Sequence, residues 1–395
     1  LLGLGDLGAD GMGIPIGKLA LYTACAGIPP THCMPVMLDV GTNNETLLND
    51  PLYNGLERRR VRDERYDELV DEFITAAKET FPGVLIQLED FGNINAFRLL
   101  EKYRDQACVF DDDIQGTGAV AFAGVVASLR ITGDDLADHK FLFLGAGEAA
   151  IGIADTIVAG LAEQGISEDE ARSKCWFFDT RGLLVSGRES IVDHKRPYAH
   201  DHPPVDDFLE AVKTLKPTAL IGVSGQPKTF TKDIVEAMAE FNDRPIIFAL
   251  SNPTSKSECS AEEAYTWTEG RGIFASGSPF DPVKLGDRTF VPGQGNNAYI
   301  FPGVGLGAIV SGARVVTDEM FLAAAHSLAN QVSESDLERG RIYPSLQRIR
   351  EVSALIARDV AKLAYDKGLT DKVEPEDILA EIREYMYQPV YRHFA

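Results

Sequence analysis

The sequence predicts an α/β protein: a doubly wound parallel sheet, a second α/β domain ahead of it, and helices at the C-terminus. Short apolar runs bounded by glycine and polar residues recur at residues 140–144, 175–179, 219–223, 245–250 and 272–276, with helical segments between them. The first run turns through glycines directly into a helical pattern, which is typical of a βαβ unit. From residue 318 onward only helical periodicity remains.

The segments before the first of these runs mix both patterns. Pro15 suits the first turn of a helix that continues through residues 19–26, and residues 34–40 are predicted as a buried strand. Apolar residues at helical spacing predict a helix over residues 66–80, followed by a strand at 84–88 and a helix at 119–131. Residues 375–378 are predicted to start the last helix.

Composition excludes several classes of protein. A net charge of −22 over 395 residues argues against a nucleic-acid surface, because neutralising phosphates requires clustered lysines and arginines. The five cysteines are scattered and lack CxxC spacing, which fits a reducing compartment, either the cytoplasm or an organelle matrix. We expect no apolar run to approach the length needed to span a bilayer. The chain opens without methionine, so we expect it to be an N-terminally truncated fragment, with any targeting segment upstream.

Two acidic clusters follow apolar runs. Asp111, Asp112 and Asp113 come after residues 108–110, and Glu89 and Asp90 come after residues 84–88. Either cluster alone is more simply a helix cap or a turn at a strand end. Together, at the ends of two predicted strands, they indicate a site for Mg²⁺ or Mn²⁺, which prefer carboxylate oxygens.

A glycine fingerprint lies between the strand at 140–144 and the next helix. Gly145 would permit a tight turn, Gly147 would let the backbone approach a pyrophosphate, and the small Ala150 would allow close packing of helix on strand. The alternative is a purely structural turn. Residues 3–8 match the same pattern, but Gly11, Gly13 and Pro15 follow, so we interpret that match as a decoy.

The second strand of the predicted βαβ unit ends in Asp179, where an acidic side chain normally binds the adenosine ribose. Arg181 and, further along, Lys195 and Arg196 follow in the next loop and are suited to a 2′-phosphate. They favour NADP over NAD as the cofactor. The alternative is a solvated basic loop.

The ordered motifs resemble malic enzyme over nearly the whole chain. The matching stretches are LGLGDLG at 2–8, GIPIGKLALYTA at 13–24, DVGT at 39–42, LEDFGN at 88–93, DDIQGT at 112–117, GAGEAA at 145–150, LSNPT at 250–254 and PGQGNNAYIFPG at 292–303. The resemblance implies oxidative decarboxylation of L-malate to pyruvate and CO2 with NADP or NAD and a divalent metal.

The resemblance also assigns roles to residues. Glu89, Asp90 and Asp113 would be the metal ligands, and Lys18, beside Asp112, would take the proton of the malate hydroxyl, losing its own proton more readily beside a metal cation. Asn252 and Asn297 would face the nicotinamide and the malate carboxylate, although either could be a turn residue. Asp111 has no assigned role. The cofactor-binding set would be Gly145, Gly147, Glu148, Ala149, Ala150, Asp179, Arg181, Arg196 and Asn252.

Three domains follow from the resemblance: a substrate- and metal-binding domain at 1–111, a Rossmann-type NAD(P)-binding domain at 112–296, and a segment at 297–395 that returns to the first domain. The family's tyrosine acid and substrate arginine would lie ahead of Leu1. The alternative function is therefore a catalytically impaired NAD(P)-binding fragment or assembly remnant. An isocitrate- or tartrate-type decarboxylating dehydrogenase is a weaker alternative. We expect a homo-oligomer, a dimer or tetramer, with no nucleic-acid or membrane partner.

Overall fold

The chain divides into two compact units in a computed structural model that describes residues 6–390. Unit 1 comprises Leu1–Asp112, Phe301–Met320 and Ile349–Ala395, and unit 2 comprises Asp113–Ile300 and Phe321–Arg348. The glycines at positions 3 and 5 of the predicted decoy lie outside the described residues.

The helices and strands of residues 6–390 follow one another through both units. The α-helices are α1 Gly13–Ala26, α2 Glu45–Leu48, α3 Glu64–Thr80, α4 Asn93–Tyr103, α5 Thr117–Thr132, α6 Glu148–Glu163, α7 Glu168–Ser173, α8 Phe208–Leu215, α9 Lys232–Phe241, α10 Ala261–Trp267, α11 Phe301–Ser311, α12 Asp318–Asn330, α13 Glu334–Leu337, α14 Ile349–Asp366 and α15 Ile378–Tyr385. The strands are β1 Ile86–Leu88, β2 Val109–Asp111, β3 Phe141–Leu144, β4 Cys175–Asp179, β5 Gly182–Leu183, β6 Ala219–Gly222, β7 Ile246–Ala249, β8 Ile273–Ser276, β9 Val283–Leu285, β10 Arg288–Phe290 and β11 Gly293–Gln294.

Unit 1 is built around the parallel pair β1 and β2, in which Ile86 faces Val109 and Leu88 faces Asp111. Because the two strands run in the same direction and in this register, Glu89 and Asp112 follow them at the same edge. Helix α3 packs on this pair and begins at the cap Asp63, whose side chain accepts a hydrogen bond from the Arg65 amide.

The predicted strand at residues 34–40 is wrong. The structure has no strand ladder there, although the Val40 carbonyl accepts a hydrogen bond from the Val61 amide at 2.9 Å. Pro35 lacks the amide hydrogen that a ladder would need. Val40 is buried in the core of unit 1 and Leu38 packs against that core, whereas Met34 and Val36 are exposed, so the apolar pattern here does not mark a buried strand.

Unit 2 contains a seven-stranded sheet in the order β11-β8-β7-β6-β3-β4-β5. All neighbours are parallel except β5, a two-residue edge strand that runs antiparallel to β4. The chain moves outward from β3 to β4 on one side and from β6 to β8 on the other, so the strand order reverses between β3 and β6. Ligands of open α/β sheets bind at such a point, outside the carboxyl ends of the strands.

The C-terminal part of the chain is divided differently from the predicted return at 297–395. Residues 321–348 belong to unit 2 because they pack against helix α5. The Arg130 guanidinium donates to the carbonyls of Ala329 at 3.2 Å and Val332 at 2.8 Å. The buried Tyr343 hydroxyl donates to the Val120 carbonyl at 2.9 Å. The side chains that make these hydrogen bonds lie among small apolar residues, so no periodic pattern in the sequence identifies them.

One helical stretch corrects the expectation that no apolar run approaches the length of a membrane span. Asp112–Thr132, which joins a π-helical turn over Asp112–Gly116 to α5, is long and apolar enough to cross a membrane by length and composition alone. However, 72% of its most apolar window is buried inside the protein. A core helix passes the same test, so the length of this run carries little weight as evidence for a membrane span.

Candidate active site

Lys18 is the centre of a buried charge cluster in unit 1. It lies on α1, and its ammonium forms a salt bridge of 3.0 Å with Glu89 Oε1 and a short ion pair with Asp112 Oδ2. The Asp112 side chain is fully buried, whereas the side chains of Lys18 and Glu89 keep 20% and 14% of their surface exposed. The structure therefore brings together the predicted base, its predicted partner and one predicted metal ligand.

Glu89 is held from its other side by two residues that the sequence did not single out. Gln87 Nε2 donates to Glu89 Oε2 at 2.8 Å, and the Tyr22 hydroxyl donates to Gln87 Oε1 at 2.7 Å. Tyr22 lies one turn after Lys18 on α1, so both side chains project from the same face of the helix. The only sequence signal was this spacing of four residues.

Two neighbouring carboxylates determine the direction of the Lys18 pKa. Burial lowers the pKa of Lys18, but the nearby Asp112 and Glu89 carboxylates outweigh it and raise that pKa above its ordinary value. The expectation that Lys18 loses its proton more readily depends on a metal cation beside it and stays a prediction. The Lys18 ammonium also lies 4.7 Å from the centre of the Phe301 ring, which favours the charged form further.

A cavity of about 890 Å³ in unit 1 opens beside this cluster. Lys18, Tyr22, Gln87, Glu89 and Asp90 contribute to its lining, together with mostly apolar residues. A concave apolar wall with a few convergent polar groups is the usual form of a small-molecule site. The cavity therefore gives a small ligand access to the Lys18 ammonium.

The predicted metal ligands divide between the units: Glu89 and Asp90 follow β1 in unit 1, and Asp113 is the first residue of unit 2. Their donor atoms are carboxylate oxygens, which suit Mg²⁺ or Mn²⁺. Asp90 adopts φ of 62°, a conformation that few non-glycine residues take. Among residues 6–390, no three His, Cys, Asp or Glu side chains are gathered closely enough to hold a metal ion.

The glycine fingerprint lies where the strand order of unit 2 reverses. Gly145 follows β3 with φ of 115°, and a Cβ atom there would lie 2.8 Å from the Val223 carbonyl oxygen at the end of β6. A side chain is therefore excluded both by conformation and by space. Gly147 precedes α6, Glu148 and Ala149 form its first turn, and Ala150 is fully buried. The amides at the start of α6 are suited to a pyrophosphate.

Asp179 ends β4 as predicted, and its carboxylate is contacted by Lys195 and by Arg188, which the sequence analysis did not single out. Arg188 Nη1 donates to its carboxylate at 3.0 Å, and Lys195 Nζ lies 3.5 Å away. Although burial raises the pKa of Asp179, the Arg181 amide and the Arg188 charge hold that pKa below its ordinary value. Arg181 donates from its side chain to Ser190.

The predicted Arg196 is in a more open position. Its guanidinium is 65% exposed and lies 3.2 Å from Asp193. The loop that follows β4 thus carries four cationic side chains, of which sequence reasoning missed Arg188. Its position nine residues after Asp179 gives no periodic signal, because the intervening chain turns back through the short strand β5.

The two predicted asparagines both lie in unit 2. Asn252 follows β7, and its Oδ1 accepts a hydrogen bond of 2.9 Å from the Ser278 hydroxyl after β8. Asn297 Nδ2 donates to the Thr117 hydroxyl at the start of α5 at 2.9 Å. Each amide is therefore oriented by a neighbouring hydroxyl.

A doubly wound parallel sheet with a glycine fingerprint at its reversal point defines a dinucleotide-binding protein. Residues 114–365 match the family model for the NAD binding domain of malic enzyme, and residues 1–104 match the model for the malic enzyme N-terminal domain. The chain belongs to the malic enzyme family. The resemblance drawn from its motifs and the predicted fold class are both confirmed.

Relatives with established descriptions agree with this assignment. The chain is 56% identical over its whole length to an NADP-dependent malic enzyme of Phaseolus vulgaris and to a mitochondrial NADP-dependent malic enzyme of Mus musculus, covering 68% and 66% of those proteins. It is 56% identical to a chloroplastic NADP-dependent malic enzyme of Flaveria pringlei and covers 62% of that protein. The chain thus spans about two thirds of the length of these relatives.

Two solved structures have a similar fold. The malic enzyme of Entamoeba histolytica superposes with a TM-score of 0.74 at 27% identity, over 98% of this chain and 72% of that one. The malic enzyme of Pyrococcus horikoshii superposes with a TM-score of 0.70 at 26% identity, over 98% of this chain and 79% of that one.

Proposed function

We propose that this chain catalyses the NADP-dependent oxidative decarboxylation of L-malate to pyruvate and CO2. The observation that carries the proposal is the Lys18 ammonium, held between Asp112 and Glu89 beside a cavity large enough for a small acid. The family assignment and the description of its close relatives as NADP-dependent malic enzymes support the same reaction.

In the proposed reaction, the Lys18 ammonium first gives up its proton, which a bound divalent cation would favour. The neutral Nζ then receives the proton of the malate C2 hydroxyl while the C2 hydride passes to the nicotinamide ring. The C3–C4 bond then breaks, CO2 leaves, and its electron pair stays on C3, which is protonated to give pyruvate. Asp112 fixes the position of Lys18 as a general base through its buried carboxylate. Tyr22 and Gln87 orient Glu89.

Glu89, Asp90 and Asp113 would hold the divalent cation, Mg²⁺ or Mn²⁺. When bound, such a cation supplies Lewis-acid polarisation of the substrate oxygens and accommodates the negative charge that develops as CO2 leaves. Asn252 and Asn297 would contact the nicotinamide side and the malate carboxylate through amides that Ser278 and Thr117 orient.

The proposed dinucleotide site consists of the fingerprint and the loop after β4. Residues 145–150 would bind the pyrophosphate. Asp179, Arg181 and Arg196 would surround the adenosine ribose, and Arg188 and Lys195 partly neutralise Asp179. A neutralised aspartate tolerates a 2′-phosphate better than a free one, which favours NADP over NAD.

The test is an initial-rate assay with L-malate, Mn²⁺ and either NADP or NAD, in which reduced cofactor and pyruvate are both quantified. We expect both products in equal amounts with NADP, and a loss of roughly 10²- to 10⁴-fold in kcat for Lys18→Met. Lys78→Met is the matched control, since Lys78 lies on α3 and donates to the Gln106 carbonyl. Equal rates for the two variants would remove Lys18 from the mechanism.

We further propose a homo-oligomer, a dimer or tetramer, in the cytoplasm or an organelle matrix. The compartment is supported by five free cysteines, four of them buried, and by relatives described as chloroplastic or mitochondrial. Light scattering on the purified protein would measure the oligomeric state, and a monomer at working concentration would contradict the proposal.

A further inference from the structure

A fully buried glutamate joins the carboxyl ends of two neighbouring strands in unit 2. Glu258 has no exposed surface and lies between the ends of β6 and β7. Its Oε1 accepts a short hydrogen bond from the Ser251 hydroxyl and longer ones from the amide and hydroxyl of Ser224, at 3.2 and 3.3 Å. Its Oε2 accepts from the Ser251 amide at 3.3 Å. All four donors are neutral groups.

The strand ends are shaped to receive this carboxylate. Gly222 ends β6, and a Cβ atom there would lie 2.5 Å from Glu258 Cδ. The Ser251 hydroxyl also accepts a hydrogen bond of 2.9 Å from the Gly225 amide, which closes the network across both loops. The network continues to β8 through Asn252, which follows Ser251 and accepts from Ser278.

A buried carboxylate bound only by neutral donors costs free energy compared with an apolar side chain of similar size. Burial accordingly raises the pKa of Glu258, although the Ser251 hydroxyl opposes the change. Such a network fixes one arrangement of its members when every member is satisfied. This network joins the loops after β6 and β7, which lie at the carboxyl ends of the strands, where doubly wound folds bind their ligand.

We infer that Glu258 is a positioning residue for the nicotinamide end of the dinucleotide site. It acts through Ser224 and Ser251 to hold residues 223–226 and 250–252 in place, and so fixes Asn252. This inference rests on the proposed function in assigning Asn252 to the nicotinamide side. Because the pyrophosphate and adenosine ends of the proposed site use other residues, loss of Glu258 would disturb the orientation of the nicotinamide more than the affinity for the dinucleotide.

Glu258→Gln tests this directly. Glutamine keeps the shape but has one acceptor oxygen, so its amide nitrogen would face either the Ser224 or the Ser251 amide, donor against donor. We expect kcat for malate oxidation to fall at least about tenfold while the NADPH dissociation constant changes less than about threefold. Glu263→Gln is the matched control, because Glu263 closes a capping box at the start of α10 and contacts Ser260 instead of the strand ends.

A second pair of variants separates positioning from simple loss of stability. Gly222→Ala places a methyl group against the Glu258 side chain, whose atoms are the three nearest to it. In a Glu258→Ala background that clash is gone, so the two substitutions should be strongly non-additive in kcat. Additive effects, or equal losses of kcat and thermal stability in Glu258→Gln and Glu263→Gln, would overturn the positioning role.

Amide hydrogen exchange keeps this test independent of the proposed reaction. In Glu258→Gln we expect faster exchange in residues 223–226 and 250–254 and unchanged exchange around β3 and β4, whether or not the protein oxidises malate. Unchanged exchange in both loops would refute the inference. If exchange differs between the wild type and Glu258→Gln as expected but the wild type does not oxidise malate, only the proposed function is refuted.

Discussion

Neutralising the cations after β4 should weaken binding of NADP far more than binding of NAD. Arg181 is exposed but held by two hydrogen bonds to Ser190, so its guanidinium is already oriented. A charge-assisted hydrogen bond to a phosphate contributes about 1.5 kcal/mol at the weak end of its range, which suits an exposed site. Since about 1.4 kcal/mol is tenfold, Arg181→Gln should raise the KM for NADP roughly tenfold.

The contribution of Arg196 should be smaller. Its guanidinium is 65% exposed and already lies beside Asp193, so solvent screening leaves about 0.5 kcal/mol, or roughly twofold in KM. The double variant should therefore lose about twentyfold for NADP if the two effects add. NAD has no 2′-phosphate, so its KM should change less than about twofold.

Arg188→Gln should have the sharpest effect on cofactor choice. It removes the cation 3.0 Å from Asp179 and leaves Lys195 at 3.5 Å, so the aspartate would repel a 2′-phosphate and accept a ribose hydroxyl more readily. The assay is the ratio of kcat/KM for NADP to that for NAD. The control is Lys232→Gln, which removes a charge from an exposed pair with Glu236 on α9. Equal changes for both cofactors in the Arg181, Arg188 and Arg196 variants would refute the assignment of this loop to the 2′-phosphate.

Three further predictions concern single residues. Gly145→Ala should destabilise the protein by about 3 kcal/mol in urea unfolding and abolish NADPH binding. The reason is that the alanine would have to adopt φ of 115° and would place its Cβ atom 2.8 Å from the Val223 carbonyl oxygen. Wild-type stability of this variant would contradict the packing argument. Lys18→Ala should lower the free energy of unfolding by about 3 kcal/mol in the same assay, since it removes the cation that pairs with the fully buried Asp112. A loss below about 1 kcal/mol would mean that the ion pair contributes little to stability. Burial raises the pKa of Asp6, but the ion pair with Arg60 holds that pKa well below its ordinary 3.8. The ion pair therefore stabilises the fold above about pH 4, and this contribution is lost as the pH falls further. Asp6→Asn should flatten the acid side of a plot of unfolding free energy against pH, and an unchanged plot would contradict the argument.

Local periodicity predicted most of the sheet in unit 2. The strand at 175–179 matches β4 residue for residue, because its apolar run is continuous and lies between Lys174 and Asp179. The strand prediction at 34–40 failed because an apolar run does not show whether a partner strand exists, and Met34 and Val36 of this run are exposed. The placement of residues 321–348 in unit 2 depends on Arg130 and Tyr343, whose long-range hydrogen bonds no local pattern encodes.

The candidate site was predictable where residues follow strand ends. Glu89 and Asp112 were found because they come directly after β1 and β2, and the register of that pair brings both carboxylates to Lys18. Arg188 and Glu258 were missed because each reaches its partner across a turn of the chain that only the folded structure defines. The direction of the Lys18 pKa depends on which charges surround the ammonium, and spacing along the chain does not reveal them.

The most direct test of the central claim is a stoichiometric measurement on the full-length protein supplied with L-malate, NADP and Mn²⁺. The proposed function predicts NADPH, pyruvate and CO2 in equal amounts, with the rate of production reduced at least about a hundredfold in Lys18→Met and retained in Lys78→Met. NADPH binding of normal affinity without malate-dependent pyruvate, or equal production by both variants, would contradict it.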